Sequence, residues 1–97
     1  MITIYGIKNC DKCRNAIRYL EGRANFHDVR KVELPNEKLN FFIDIFGERI
    51  LNTRSKTWKA LDEDEKKFSI LDLLKQFPTL MKRPLIESSD HPKPTIG

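Results

Sequence analysis

Ile2-Thr3-Ile4-Tyr5-Gly6-Ile7-Lys8-Asn9-Cys10-Asp11-Lys12-Cys13 lies at the start of the chain and sets the expected architecture. Ile2 and Ile4 alternate with Thr3 and Tyr5, the period of a half-buried strand, and Gly6 stops the run. After a turn through Lys8 and Asn9, the apolar positions Cys13, Ile17 and Leu20 fall at helical spacing with Ala16 beside them. An amphipathic helix is expected to begin close to Cys10 and to end at Gly22. Phe26 to Arg30 reads as a second strand. A strand, a helix and a strand within about 30 residues pair their strands in parallel through a right-handed crossover.

Further along, the period changes. Pro35 suits a first helical turn, Leu39, Phe42, Ile43 and Phe46 share one helical face, and Gly47 closes the run. Ser69-Ile70-Leu71-Asp72 has the form of a capping box, followed by Leu73, Leu74 and Phe77 on one face with Ile70, and Pro78 is a stop signal. Short helical turns at Thr57 to Leu61 and Glu63 to Lys67 surround Trp58, so a helical block spans about residues 35–78. Beyond it, Leu85 and Ile86 form a short strand after Lys82-Arg83-Pro84. Ser88 to Pro92 reads as a turn, and Pro94 to Ile96 as a further strand. The expectation is one α/β domain over 1–97, with a core of about 1–34 and 79–97 and the helical block inserted into it.

Composition narrows the functional classes. Ninety-seven residues with 39% hydrophobic side chains make one small domain, and no run approaches the roughly 18 apolar residues of a membrane helix. The start has no basic segment leading into an apolar stretch, so neither a membrane protein nor a secreted precursor is expected. The net charge of +4 would permit an anionic partner, but Lys and Arg alternate with Asp and Glu along the chain. A solvated mixed-charge surface is expected, without direct nucleic-acid binding. The two cysteines then belong to the reducing cytoplasm, where redox chemistry, metal binding or coincidence would explain Cys10-Asp11-Lys12-Cys13 better than a structural disulfide.

Cys10 precedes a helix, so unpaired backbone N–H groups and the positive end of the helix dipole favour its thiolate, with Lys8, Lys12 and Arg14 close in sequence. Cys13 follows about one turn later, where it can attack a mixed disulfide formed at Cys10; it also suits a buried helix face as a small apolar residue. Zinc would need about four ligands, and His27 and His91 stand alone in a strand and a turn, so no metal site is expected. Arg54 and Arg83 lie in irregular stretches, where they could bind a carboxylate or an oxyanion, or simply face solvent. Pro84, before a strand, is a candidate cis proline.

Together these motifs resemble the ArsC/Spx branch of the thioredoxin fold, and within it the YffB-like proteins. Tyr5-Gly6-Ile7-Lys8-Asn9-Cys10-Asp11 is similar to their opening. Leu51-Asn52-Thr53-Arg54 with Thr57-Trp58 and Leu61 is similar to their central motif, and Lys82-Arg83-Pro84-Leu85 to the segment carrying a second arginine and a cis proline. The resemblance implies a glutaredoxin-like βαβ…ββ core with a helical insertion. Family members usually continue past the glycine matching Gly97 into a closing helix, so the fold expected here lacks that helix.

The resemblance also implies roles. Cys10 would be the nucleophile, Cys13 a resolving thiol, and Arg54 and Arg83 would stabilise a thiolate or a bound anion. Lys8, Asn9, Arg54, Arg83 and Pro84 would receive glutathione as a cosubstrate, with no cofactor held permanently, in a monomer. No arginine follows Arg83, where the arsenate reductases carry a third, so arsenate itself is not the expected substrate. On the Spx side of the family, a C-x-x-C pair is a disulfide switch in a regulator that binds the α subunit of RNA polymerase. Cys13 and Thr53-Arg54-Ser55-Lys56 resemble that side.

Overall fold

The computed structural model describes residues 1–91 and 93–97. They form two compact units, Met1–Val32 with Arg83–Gly97, and Glu33–Lys82. The first unit contains β1 (Ile2–Gly6), α1 (Asp11–Tyr19), β2 (Ala24–Asp28), β3 (Leu85–Ser88) and β4 (Thr95–Ile96). The second contains α2 (Asn36–Phe46), α3 (Lys56–Ala60) and α4 (Ile70–Gln76), with 3-10 turns at Gly47–Ile50, Glu65–Lys67 and Pro78–Leu80.

The four strands form one mixed sheet in the order β2-β1-β3-β4. β1 runs parallel to β2, with Ile4 opposite Phe26, and antiparallel to β3, with Ile4 opposite Ile86. β4 pairs antiparallel with β3. Ile4 and Tyr5 on β1 and Leu85 on β3 are buried, as befits the two inner strands with partners on both sides, and Ile7 and Val29 are buried just past the ends of β1 and β2.

The second strand begins two residues earlier than the sequence pattern suggests and ends at Asp28 instead of Arg30. Its end is set by a turn: the Asp28 carboxylate accepts from the Arg30 N–H at 2.9 Å, and the Asp28 carbonyl accepts from the Lys31 and Val32 N–H groups at 3.1 Å. These donors are then no longer available to a ladder. Likewise, β3 runs on through Ser88, where a turn was expected to start; Pro92, the last residue of that expected turn, lies outside the described residues.

In the helical unit, Leu39, Phe42, Phe46, Leu73 and Leu74 are buried, and α2 packs against α4. Each such side chain contributes about 1.5–3 kcal/mol on leaving water. Pro35 stands one position before α2 instead of inside its first turn, and its carbonyl accepts from Lys38 and Leu39 at 3.0 Å. Gly47 takes φ of 58° at the end of α2, a left-handed conformation that a side chain would strain. Ser55 and Ser69 cap α3 and α4, each hydroxyl accepting a backbone N–H at 3.1 Å, from Trp58 and Asp72. Pro78, expected as a stop, ends α4 and opens the 3-10 turn Pro78–Leu80. That turn is tied back by Asn52 N–H to the Leu80 carbonyl at 2.7 Å and by Lys82 N–H to the Ile50 carbonyl at 2.8 Å.

Candidate active site

Cys10 is the N-cap residue of α1, with extended backbone angles of −99° and 124°, and is half-buried. Its carbonyl accepts the first helical bond, from Arg14 N–H at 2.9 Å, which leaves the earlier N–H groups of the first turn without a helical acceptor. Partial burial pushes the Cys10 thiol up. Against this, the Cys13 N–H, the Cys13 thiol, the Arg83 side chain and the Lys12 N–H all donate to the sulfur, and the balance falls below the ordinary thiol value.

Cys13 has the opposite environment. It is fully buried, and burial pushes its thiol up to about 11. The Ile7 N–H and the Arg83 charge oppose that rise, while the hydrogen bond to Cys10 adds to it. Both thiols are free, and the proton they contend for rests on Cys13. A thiolate that accepts from a protonated thiol three residues on is arranged for attack by the first sulfur and resolution by the second.

Among the residues singled out from sequence, the fold brings Cys10, Cys13 and Arg83 together. Pro84 follows Arg83 through a cis peptide bond and opens onto β3. Lys8 and Asn9 are exposed in the turn between β1 and α1. Arg14, expected to favour the thiolate by proximity, pairs with Asp11 at 3.1 Å and reaches the Asn9 carbonyl at 3.4 Å. What Lys12 supplies is its backbone N–H. Arg54 lies in the helical unit, exposed in a turn where its N–H donates to Asn52 Oδ1 at 3.1 Å. His27 sits in β2 with Nε2 2.8 Å from the Val32 carbonyl, and His91 is exposed. Among the described residues, no three His, Cys, Asp or Glu side chains cluster as metal ligands, and no helix is long and apolar enough to cross a membrane.

Sequence reasoning missed a cross-strand cluster. Tyr5 donates to Glu87 Oε1 at 3.0 Å and its ring lies 5.3 Å from that of His27, so burial and the carboxylate push the Tyr5 hydroxyl up. Alternation places Tyr5 on one face of β1, but only the observed register sets His27 opposite it.

The ArsC family model matches residues 5–97. The chain belongs to the ArsC family. The solved YFFB protein is similar to this ArsC-family chain over all of it and 90% of that chain, with a TM-score of 0.88 and 28% identity. An uncharacterized protein of Haemophilus influenzae is 40% identical over 94 residues, 89% of this chain and 82% of that protein. The global transcriptional regulator Spx of Streptococcus pneumoniae is 30% identical over 95 residues, 89% of this chain and 71% of that protein. The mixed four-stranded sheet with its helices is the thioredoxin-like α/β fold of the family's solved structures, and the YffB-like resemblance seen in the sequence is shared by the solved neighbour.

Proposed function

We propose that this ArsC-family chain is a thiol-disulfide oxidoreductase that uses glutathione. The observation that carries the reading is the pairing of a depressed, half-buried Cys10 thiol with a protonated, buried Cys13 thiol at the start of one helix. The Cys10 thiolate attacks one sulfur of a disulfide substrate, forming a mixed disulfide as the other sulfur leaves as a thiolate and takes up a proton. Either the Cys13 thiol, deprotonated as it attacks, or a glutathione thiolate then displaces the substrate from Cys10. In the first route the product is a Cys10–Cys13 disulfide, which two glutathione molecules return to the dithiol as oxidised glutathione forms; in the second, glutathione is left bonded to Cys10, and a second glutathione thiolate removes it as oxidised glutathione and restores the Cys10 thiolate. Arg83 holds the Cys10 thiolate, and Lys8, Asn9 and Pro84 of the same unit are assigned to the tripeptide.

Steady-state turnover of a small mixed disulfide with glutathione tests this. Cys10→Ser is expected to abolish turnover, and a variant that retains full activity would end the assignment. Cys13→Ser separates the two routes: survival of turnover identifies glutathione as the resolving thiol, and loss identifies Cys13.

A second reading is supported by the likeness to Spx and by the adjacent free thiols: a regulator that binds the α subunit of RNA polymerase under control of the Cys10 and Cys13 pair. It predicts capture of that subunit in one redox state, and equal absence of capture in both states removes it.

A further inference from the structure

β1 ends at Gly6, and α1 packs back on β1 so that Cys13 lies directly over this residue. A Cβ placed on Gly6 would overlap the Cys13 sulfur and stand 3.3 Å from Cys13 Cβ, while the next neighbour, Phe26 Cε1, would be at an ordinary 3.7 Å. The collision is therefore with one atom above all, the sulfur that the proposed chemistry uses. No backbone atom is among these neighbours, and the φ angle of Gly6 is not in the left-handed region, so backbone freedom does not explain a glycine here. A fully buried sulfur on a short side chain has few alternatives, because helical side chains have few accessible χ1 wells and close-packed interiors leave few voids.

We propose that Gly6 is a positioning residue for Cys13: the missing Cβ leaves a notch in β1 that seats the Cys13 sulfur within reach of Cys10. Filling the notch forces the sulfur into another rotamer or lifts the first turn of α1, and either movement takes it out of its contact with Cys10. This inference rests on the oxidoreductase reading only in giving Cys13 a resolving role; the seat itself is a packing statement that stands or falls separately.

Two measurements on the full chain test it. In the first, the native protein and Gly6→Ala are equilibrated in mixtures of reduced and oxidised glutathione, where the Cys10 and Cys13 thiols lose two electrons and two protons to oxidised glutathione. The equilibrium constant for the Cys10–Cys13 disulfide is expected to fall at least about tenfold in Gly6→Ala. In the second, thermal unfolding compares the penalty of Gly6→Ala in the native background and in Cys13→Ala, where the sulfur is gone. The penalty is expected to shrink markedly in Cys13→Ala.

An unchanged equilibrium constant, or the same penalty in both backgrounds, overturns the proposal. If Gly6→Ala alone does not fold, a folded Gly6→Ala/Cys13→Ala chain supports the seat and an unfolded one refutes it. Should the native chain form no Cys10–Cys13 disulfide at all, Cys13 loses its role as resolving thiol in the proposed function, and the penalty comparison alone decides the seat.

Discussion

In the cysteine-bearing unit, Met1–Val32 with Arg83–Gly97, strand partners come from opposite ends of the chain: Ile2 lies across from Ser88, and Tyr5 bonds Glu87. In Glu33–Lys82 the order is mostly local, with Ser55 and Ser69 capping helices three residues away and Leu39, Phe42 and Phe46 lining one face of a single helix. The difference shows where the chemistry resides. Arg83 reaches Cys10 from the far end of the sequence, so the proposed site exists only once the sheet has closed. The helical unit carries its caps and helix faces in residues close in sequence, and only its closing ties, such as Asn52 to Leu80, reach across the unit.

The comparison can be broken most forcefully in the helical unit. Phe42 is fully buried on α2, and Phe42→Ala is expected to cost about 3–5 kcal/mol in denaturant unfolding through lost burial and a residual cavity. In the protein that stays folded, the pH dependence of Cys10 alkylation is expected to be unmoved. A displaced profile would show that the thiol depends on the helical core.

High pH probes the cysteine-bearing unit. The folded Cys13 thiol titrates near 11 against an ordinary 9.0, so the folded state resists losing this proton. Its contribution is fully present below the ordinary value and is lost as pH rises through the folded one. Stability is expected to fall between pH 9 and 11, with Tyr5, also raised, adding to the fall above its ordinary 10.0. Cys10, depressed in the folded state, works the other way: its contribution still grows as pH passes the ordinary 9.0 and levels off above it. Unfolding of Cys13→Ser across this window is expected to lose the decline between pH 9 and 10 and to keep only the Tyr5 part of it above 10.

A smaller effect is expected at the cap of α4. Ser69→Ala removes the acceptor of the Asp72 N–H and is expected to cost about 1 kcal/mol in thermal or denaturant unfolding. Smallest of all is Arg14→Ala, whose partner Asp11 is exposed: stability is expected to change by less than about 0.5 kcal/mol. The alkylation profile of Cys10 is expected to stay in place in Arg14→Ala and to move to higher pH in Arg83→Gln. Equal shifts in the two variants would mean that general positive charge, and not the Arg83 hydrogen bond, holds the thiolate.

Much of the fold was legible because it obeys local rules. Alternation in Ile2 to Tyr5, the helical spacing of Leu39, Phe42 and Phe46, and the serine caps depend on residues within a turn or a strand of one another. The misplaced ends of β2 and β3 show the limit. Ala24 and Asn25 are poor strand formers that pair because Ile2 and Thr3 offer them a ladder, while Arg30 is taken out of it by the Asp28 carboxylate.

The sequence by itself determined that Cys10 would stand at a helix start and Cys13 one turn later, since the dipole, the cap position and the spacing follow from covalent order. Only the tertiary structure decided how the two thiols differ. Cys13 is buried where α1 folds back over Gly6 at the end of β1, and Arg83 approaches the Cys10 sulfur from a segment about seventy residues away. Hydrogen bonding and desolvation act on the sulfur through space, whatever the separation along the chain.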